Sequence, residues 1–146
     1  MAREQILQGL LQRGFPAHVA QGIVGNIAVE SGFDPGINEI APLVPGSRGG
    51  FGLFQHTGPR RRALEAFASQ AGRPLADIDT QLDFVVQELG TTEKAAADAL
   101  KGAKTTEEAA RIFSEKFLRP GIPHLDRRIA AATGAESVAA DTMSAL

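Results

Sequence analysis

A chain of 146 residues with 43% hydrophobic and 22% charged side chains suits one globular domain with its own core. Its net charge of -2 gives no basis for nucleic acid as a partner, and the absence of cysteine excludes disulfides and cysteine-ligated metal. His18, His56 and His124 are scattered, which argues against a zinc site, and no run of about 18 apolar residues is present to span a membrane.

From the N-terminus, Ile6, Leu7, Leu10 and Leu11 form one apolar stripe at helical spacing, closed by Gly14. Pro16 predicts the first position of a second helix, in which Val19, Ala20, Ile23, Val24, Ile27 and Ala28 repeat at three and four residues. That helix is expected to stop at Ser31-Gly32, with Gly32 in a left-handed cap and Phe33 folded back on the last turn. The next stretch holds Gly32, Gly36, Gly46, Gly49, Gly50, Gly52 and Gly58 with Pro35, Pro42 and Pro45, a composition no long helix survives. It predicts a long loop with a short β-hairpin over Phe51 to His56, and loops of that length in small domains are commonly functional.

Helices resume at Pro59, marked by Leu64, Phe67 and Ala68. Leu82, Val85, Val86 and Leu89 mark another, with Asp79 as its expected cap, and an alanine-rich helix follows Thr92. Thr105 to Glu108 has capping-box spacing and leads into Ile112, Phe113 and Phe117, which read as core. Pro120, Gly121 and Pro123 break that helix, and a last one runs from His124 to Ala132. The order predicts an α+β, predominantly helical fold with a small β-hairpin lobe. One domain over residues 1–133 is expected, with a fraying tail over 134–146.

Glu30 lies three residues after Ile27 and seven after Ile23, so a helix places it at the end of the buried stripe. Burial and the negative end of the helix both disfavour an ionised carboxylate there, the condition a proton donor needs. Taken alone, the pattern also fits a helix-end glutamate pointing into water.

Two strings give Glu30 a context. Ala28-Val29-Glu30-Ser31-Gly32-Phe33 resembles the Glu-Ser motif that ends the catalytic helix of lytic transglycosylases and goose-type lysozymes. Gly52-Leu53-Phe54-Gln55 resembles the Gly-Leu-Met-Gln string that follows it there, across a glycine-rich loop. The longer runs Gly25 to Pro35 and Gly50 to Arg61, with Asp79 to Phe84 and Glu88-Leu89, are similar to the phage tail lysozyme family. The match is specific over residues 14–90 and looser over 105–132.

The resemblance implies a lysozyme-like fold and a muramidase of the endolysin type. It would hydrolyse the β-1,4 bond between N-acetylmuramic acid and N-acetylglucosamine, with Glu30 as general acid. It further implies that Ser31 and Phe33 shape the helix end, that Gly50 and Gly52 let the backbone approach the glycan, and that Gln55 faces the cleft. Substrate contacts are expected from Ser31, Phe33, Gly52, Phe54, Gln55 and His56, the last standing where the family often has Trp. With no Trp or Tyr in the chain, Phe33, Phe51 and Phe54 remain for stacking on sugar.

Glu39, nine residues after Glu30, is the candidate second carboxylate, with Asp34 also in the loop. If Glu39 orients water, the enzyme is an inverting hydrolase. If no carboxylate reaches the site, a lytic transglycosylase giving 1,6-anhydro products results. The Ala-Tyr-Asn string usual in transglycosylases of the Glu-Ser type is missing, which favours hydrolysis. A non-catalytic glycan-binding or virion tail module is the competing reading from another class. Arg60-Arg61-Arg62 either attracts anionic wall polymers or is paired locally, and most of Gln81, Asp83 and Glu88 are expected to be structural.

The charged stretch Met1 to Leu7 does not read as a signal peptide. Synthesis in the host cytoplasm is therefore expected, with release to the cell wall through a holin or carriage in the virion. The expected partner is bacterial peptidoglycan, met by a monomer with no cofactor, no metal, no nucleic acid and no membrane insertion.

Overall fold

The apolar stripe from Val19 to Ile27 requires a helix buried along its length, and the computed structural model, which describes residues 2–42 and 44–134, builds the fold around it. This helix, α2, spans Ala17–Ser31, with Val19, Ala20, Ile23, Val24 and Ile27 all buried. Pro16 is its cap and not its first residue: ψ is 151°, and the Pro16 carbonyl accepts the Ala20 N–H at 2.9 Å. At the other end Gly32 takes the expected left-handed conformation, φ 58°, and its N–H reaches Ala28 O. Phe33 follows with φ 69° and packs partly buried against the core.

The preceding helix, α1 (Ala2–Gln12), lays Ile6 and Leu10 into the same core. After the loop come α3 (Gly58–Ala71), α4 (Ile78–Gly90), α5 (Lys94–Lys101), α6 (Thr106–Ile112) and α7 (Leu125–Thr133). Asp77, not Asp79, caps α4, accepting the Thr80 N–H at 2.9 Å. Asp79 instead faces Arg13 at 3.2 Å. Thr105 caps α6 as expected, while Glu108 reaches back to the Lys104 N–H, one residue short of a reciprocal box. Beyond Ile112 the chain widens into a π-helical segment, Phe113–Leu118, that stacks Phe113 on Phe117 with ring centroids 4.6 Å apart.

On α2, Gly22, Gly25, Asn26 and Glu30 meet α6 and α7. A Cβ on Gly22 would sit 2.7 Å from Ala110 N, and one on Gly25 would sit 2.5 Å from Ala132 N and Arg128 O. Only glycine therefore lets α6 and α7 meet α2 backbone to backbone.

The expected β-hairpin lobe is a correction. Among the described residues there are two isolated bridges, Asn38 with Phe51 and Phe51 with His56, and no strand. Phe51 and His56 exchange backbone hydrogen bonds of 3.0 and 3.1 Å, but between them Gly52 (φ 81°) and Gln55 (φ 52°) reverse the chain at once. Beyond His56 only Thr57, the cap of α3, precedes that helix, so the second strand has no length in which to grow. Of the tail, residues 135–146 lie outside the described residues.

Candidate functional site

Glu30 occupies the last turn of α2, and its side chain is 15% exposed. Its Oε1 pairs with Arg128 Nη2 of α7 at 2.9 Å. The sequence reading placed no cation there. In the structure the carboxylate is mostly buried, yet it is not left without a partner. Arg128 is itself 3% exposed at the side chain, and it also donates from Nε to Pro123 O at 2.5 Å and from Nη1 to Asn26 Oδ1 at 3.2 Å. Asn26, one helical turn before Glu30, is fully buried and donates to Gly22 O and Ala110 O. Neither Asn26 nor Arg128 was singled out by sequence. A buried Asn on an otherwise apolar helix four residues before a candidate acid was the available signal for Asn26, and Arg128 had none.

The chain leaves Glu30 through two tight turns, Asp34 N to Ser31 O and Ile37 N to Asp34 O. It then meets the reversal at Gly52, whose N–H donates to Ile37 O at 2.9 Å. Gln81 of α4 clamps this crossing. Its Oε1 accepts the Leu53 N–H and its Nε2 donates to Pro35 O and Leu75 O, each at 2.8 Å. A Cβ on Gly52 would lie 2.5 Å from that Oε1, so the glycine makes room for the clamp.

Glu39 and Gln55 come together over Gly50. The Gly50 N–H donates to Glu39 Oε1 at 3.1 Å, the Glu39 N–H donates to Gly50 O at 2.8 Å, and Gln55 packs on the bare Gly50 Cα. Gln55 Nε2 donates to Gly52 O at 2.9 Å. Among the described residues neither Glu39 nor Gln55 hydrogen-bonds Glu30.

The remaining expected contacts fall differently. Phe33 stays half-buried, with Arg3 over its ring at 5.7 Å. Ser31 is buried and donates to Ile27 O, which fits a role at the helix end and takes it away from substrate. Gly52 is buried under Gln81, and Phe54 sits in the core beside Phe113 and Phe117. His56 is 4% exposed and Nε2 meets Glu88 Oε1 at 2.7 Å. For Phe54 and His56 the expectation of direct sugar contact is corrected: both point inward and hold the loop down.

Glu88 also takes Arg60 Nε at 2.8 Å, and Arg60 lies over the Phe117 ring. Burial pushes the Glu88 carboxyl up, but the hydrogen bonds from His56 and Arg60 outweigh it and hold it below the ordinary value. Of the three consecutive arginines, Arg60 and Arg61 are thus engaged locally, Arg61 by donating to Arg48 O and Gly49 O, and Arg62 is exposed. Among the described residues no cluster of three or more acidic, His or Cys side chains could hold a metal ion, and no helix is long and apolar enough to cross a membrane.

Morphogenesis protein 1 of Bacillus phage B103 is 31% identical over 133 residues, covering 86% of this chain and 35% of that protein. The chain thus spans 35% of the length of that relative. The sequence model of the phage tail lysozyme family matches residues 2–137, nearly the whole chain, and the chain belongs to that family.

Proposed function

We propose that this domain cleaves peptidoglycan as a muramidase. It would hydrolyse the β-1,4 bond between N-acetylmuramic acid and N-acetylglucosamine, with Glu30 donating a proton to the glycosidic oxygen. The observation that supports this most is the Glu30 carboxylate. It sits at the end of a buried helix, is itself largely buried, and keeps 15% of its side chain open to a solute. General acids of glycosidases occupy such semi-enclosed positions. Glu39, held by Gly50, is the candidate to orient the attacking water, and Gln55 beside it to bind water or sugar.

Glu30→Gln keeps the side-chain shape and removes the transferable proton. It should fold as the wild type does and lose at least 99% of lysis of purified peptidoglycan, since a missing general acid costs roughly 100- to 10,000-fold. Activity within a few-fold of wild type would remove Glu30 from the mechanism. Mass spectrometry of the digest separates the chemistries: a reducing end means hydrolysis, a 1,6-anhydro end transglycosylation. The name of the Bacillus phage relative favours a second reading, about place more than chemistry: a domain of this kind serves within a virion component. Detection of the protein in purified virions tests it.

A further inference from the structure

We propose that Arg128 is a positioning residue for Glu30, the end of a relay that starts at Asn26; the proposal rests on the reading of Glu30 as the general acid. The guanidinium is a rigid planar fork, and three of its nitrogens are anchored at once: Nε on Pro123 O, Nη1 on Asn26 Oδ1, Nη2 on Glu30 Oε1. Asn26 cannot turn its amide over, because Nδ2 is committed to Gly22 O and Ala110 O. Backbone carbonyls of α2 and α6 therefore fix Asn26, Asn26 and Pro123 fix the plane of Arg128, and that plane fixes Glu30 Oε1.

Two chemical consequences follow. With Oε1 occupied by the guanidinium, Oε2 is the oxygen left to carry the proton and to meet the glycosidic oxygen. When that proton leaves, Oε1 stays held 2.9 Å from the anchored guanidinium, so the side chain keeps its position through the transfer. Stability alone is a weak reason for such an arrangement, since desolvation of a buried ion pair offsets most of its attraction.

The test uses soluble, uncrosslinked peptidoglycan strands and the four proteins of a double-mutant cycle: wild type, Arg128→Gln, Glu30→Gln and the double variant. Misplacing an acid by about 1 Å costs up to roughly 100-fold, so Arg128→Gln should lose about 10- to 100-fold in kcat with KM unchanged. Arg128→Lys keeps the charge but cannot hold three anchors, and its kcat should fall between the two. In the Glu30→Gln background Arg128→Gln should leave the residual rate unchanged, because its effect passes through the missing proton. A wild-type kcat for Arg128→Gln, or an equal loss in both backgrounds, overturns the proposal. If Arg128→Gln does not fold by circular dichroism, Arg128→Lys takes its place in the cycle: a kcat loss confined to the Glu30 background supports the relay, and a wild-type kcat or a loss in both backgrounds overturns it. Retained lysis by Glu30→Gln would remove Glu30 as the general acid on which the relay rests, while the absence of any cleavage by the wild type would fail the glycosidase reading itself. An inactive Glu30→Gln beside a fully active Arg128→Gln fails the relay only.

Discussion

Gln81 shows how one side chain can set the shape of a loop with no regular structure. Its amide satisfies the Leu53 N–H and the carbonyls of Pro35 and Leu75, three backbone groups from three segments, while it is fully buried. Gln81→Leu preserves volume and strands all three groups. Each buried unsatisfied polar group costs about 1–3 kcal/mol, so a loss of about 3 kcal/mol in urea unfolding is expected, with the reversal at Gly52 loosened. A change below about 1 kcal/mol would mean that water replaces the amide without penalty. Gln81 matches the family, and its three partners show a structural role. His56 and Phe54 went the other way. Adjacency to Gln55 in the chain suggested a common surface, yet Gln55 stays half-exposed while its two neighbours point into the core. A motif read in one dimension does not say which of its members face inward.

At the level of elements, the helices were legible because each carries an apolar stripe at three- and four-residue spacing, and this holds from Ile6 in α1 through Leu89 in α4. Two things escaped that reading. The hairpin failed because the glycines that permit a reversal also shorten it to one residue pair. The second face of α2 escaped because propensity alone gives a glycine within a helix only a cost, about 1 kcal/mol against alanine, and no contact. In the structure Gly22 and Gly25 are contact points instead. Gly25→Ala would thrust a methyl within 2.5 Å of Ala132 N and Arg128 O, both backbone, so α7 must back away and carry Arg128 off Glu30. Overpacking of this kind costs about 1–3 kcal/mol, and kcat should fall although residue 25 touches no substrate. Gly90→Ala is the contrast: nothing lies within 4 Å of its added methyl, and its stability should equal or exceed wild type by up to about 1 kcal/mol. If both glycine variants behave alike in urea midpoint and kcat, close approach is not what Gly25 provides.

Across the whole molecule, three carboxylates tie elements distant in sequence, and all three are held below their ordinary values. Glu88 joins α4 to His56 and Arg60. Asp83 of α4 takes Arg13 and Arg73, whose hydrogen bonds outweigh the upward push of burial. Glu65 of α3 is lowered by its hydrogen bond from Arg48 in the glycine-rich loop. A carboxylate more acidic in the folded than in the unfolded chain stabilises the fold wherever it is ionised in both. That contribution is lost as pH falls through the folded-state value, because the native ion pair must then take up a proton. The urea midpoint should therefore stay level from neutral pH to about pH 5 and decline below roughly pH 4, where ordinary carboxylates already titrate. Glu88→Gln isolates the most buried of the three. At pH 7 it should cost about 1.5–3 kcal/mol, the worth of a hydrogen bond to a charged group. Its decline on acidification should be shallower than that of the wild type, because the group that would take up the proton is gone. The two curves should therefore converge at low pH. Parallel curves would show that Glu88 does not carry the acid sensitivity, and a wild-type midpoint as high at pH 3 as at pH 7 would show that none of the three does.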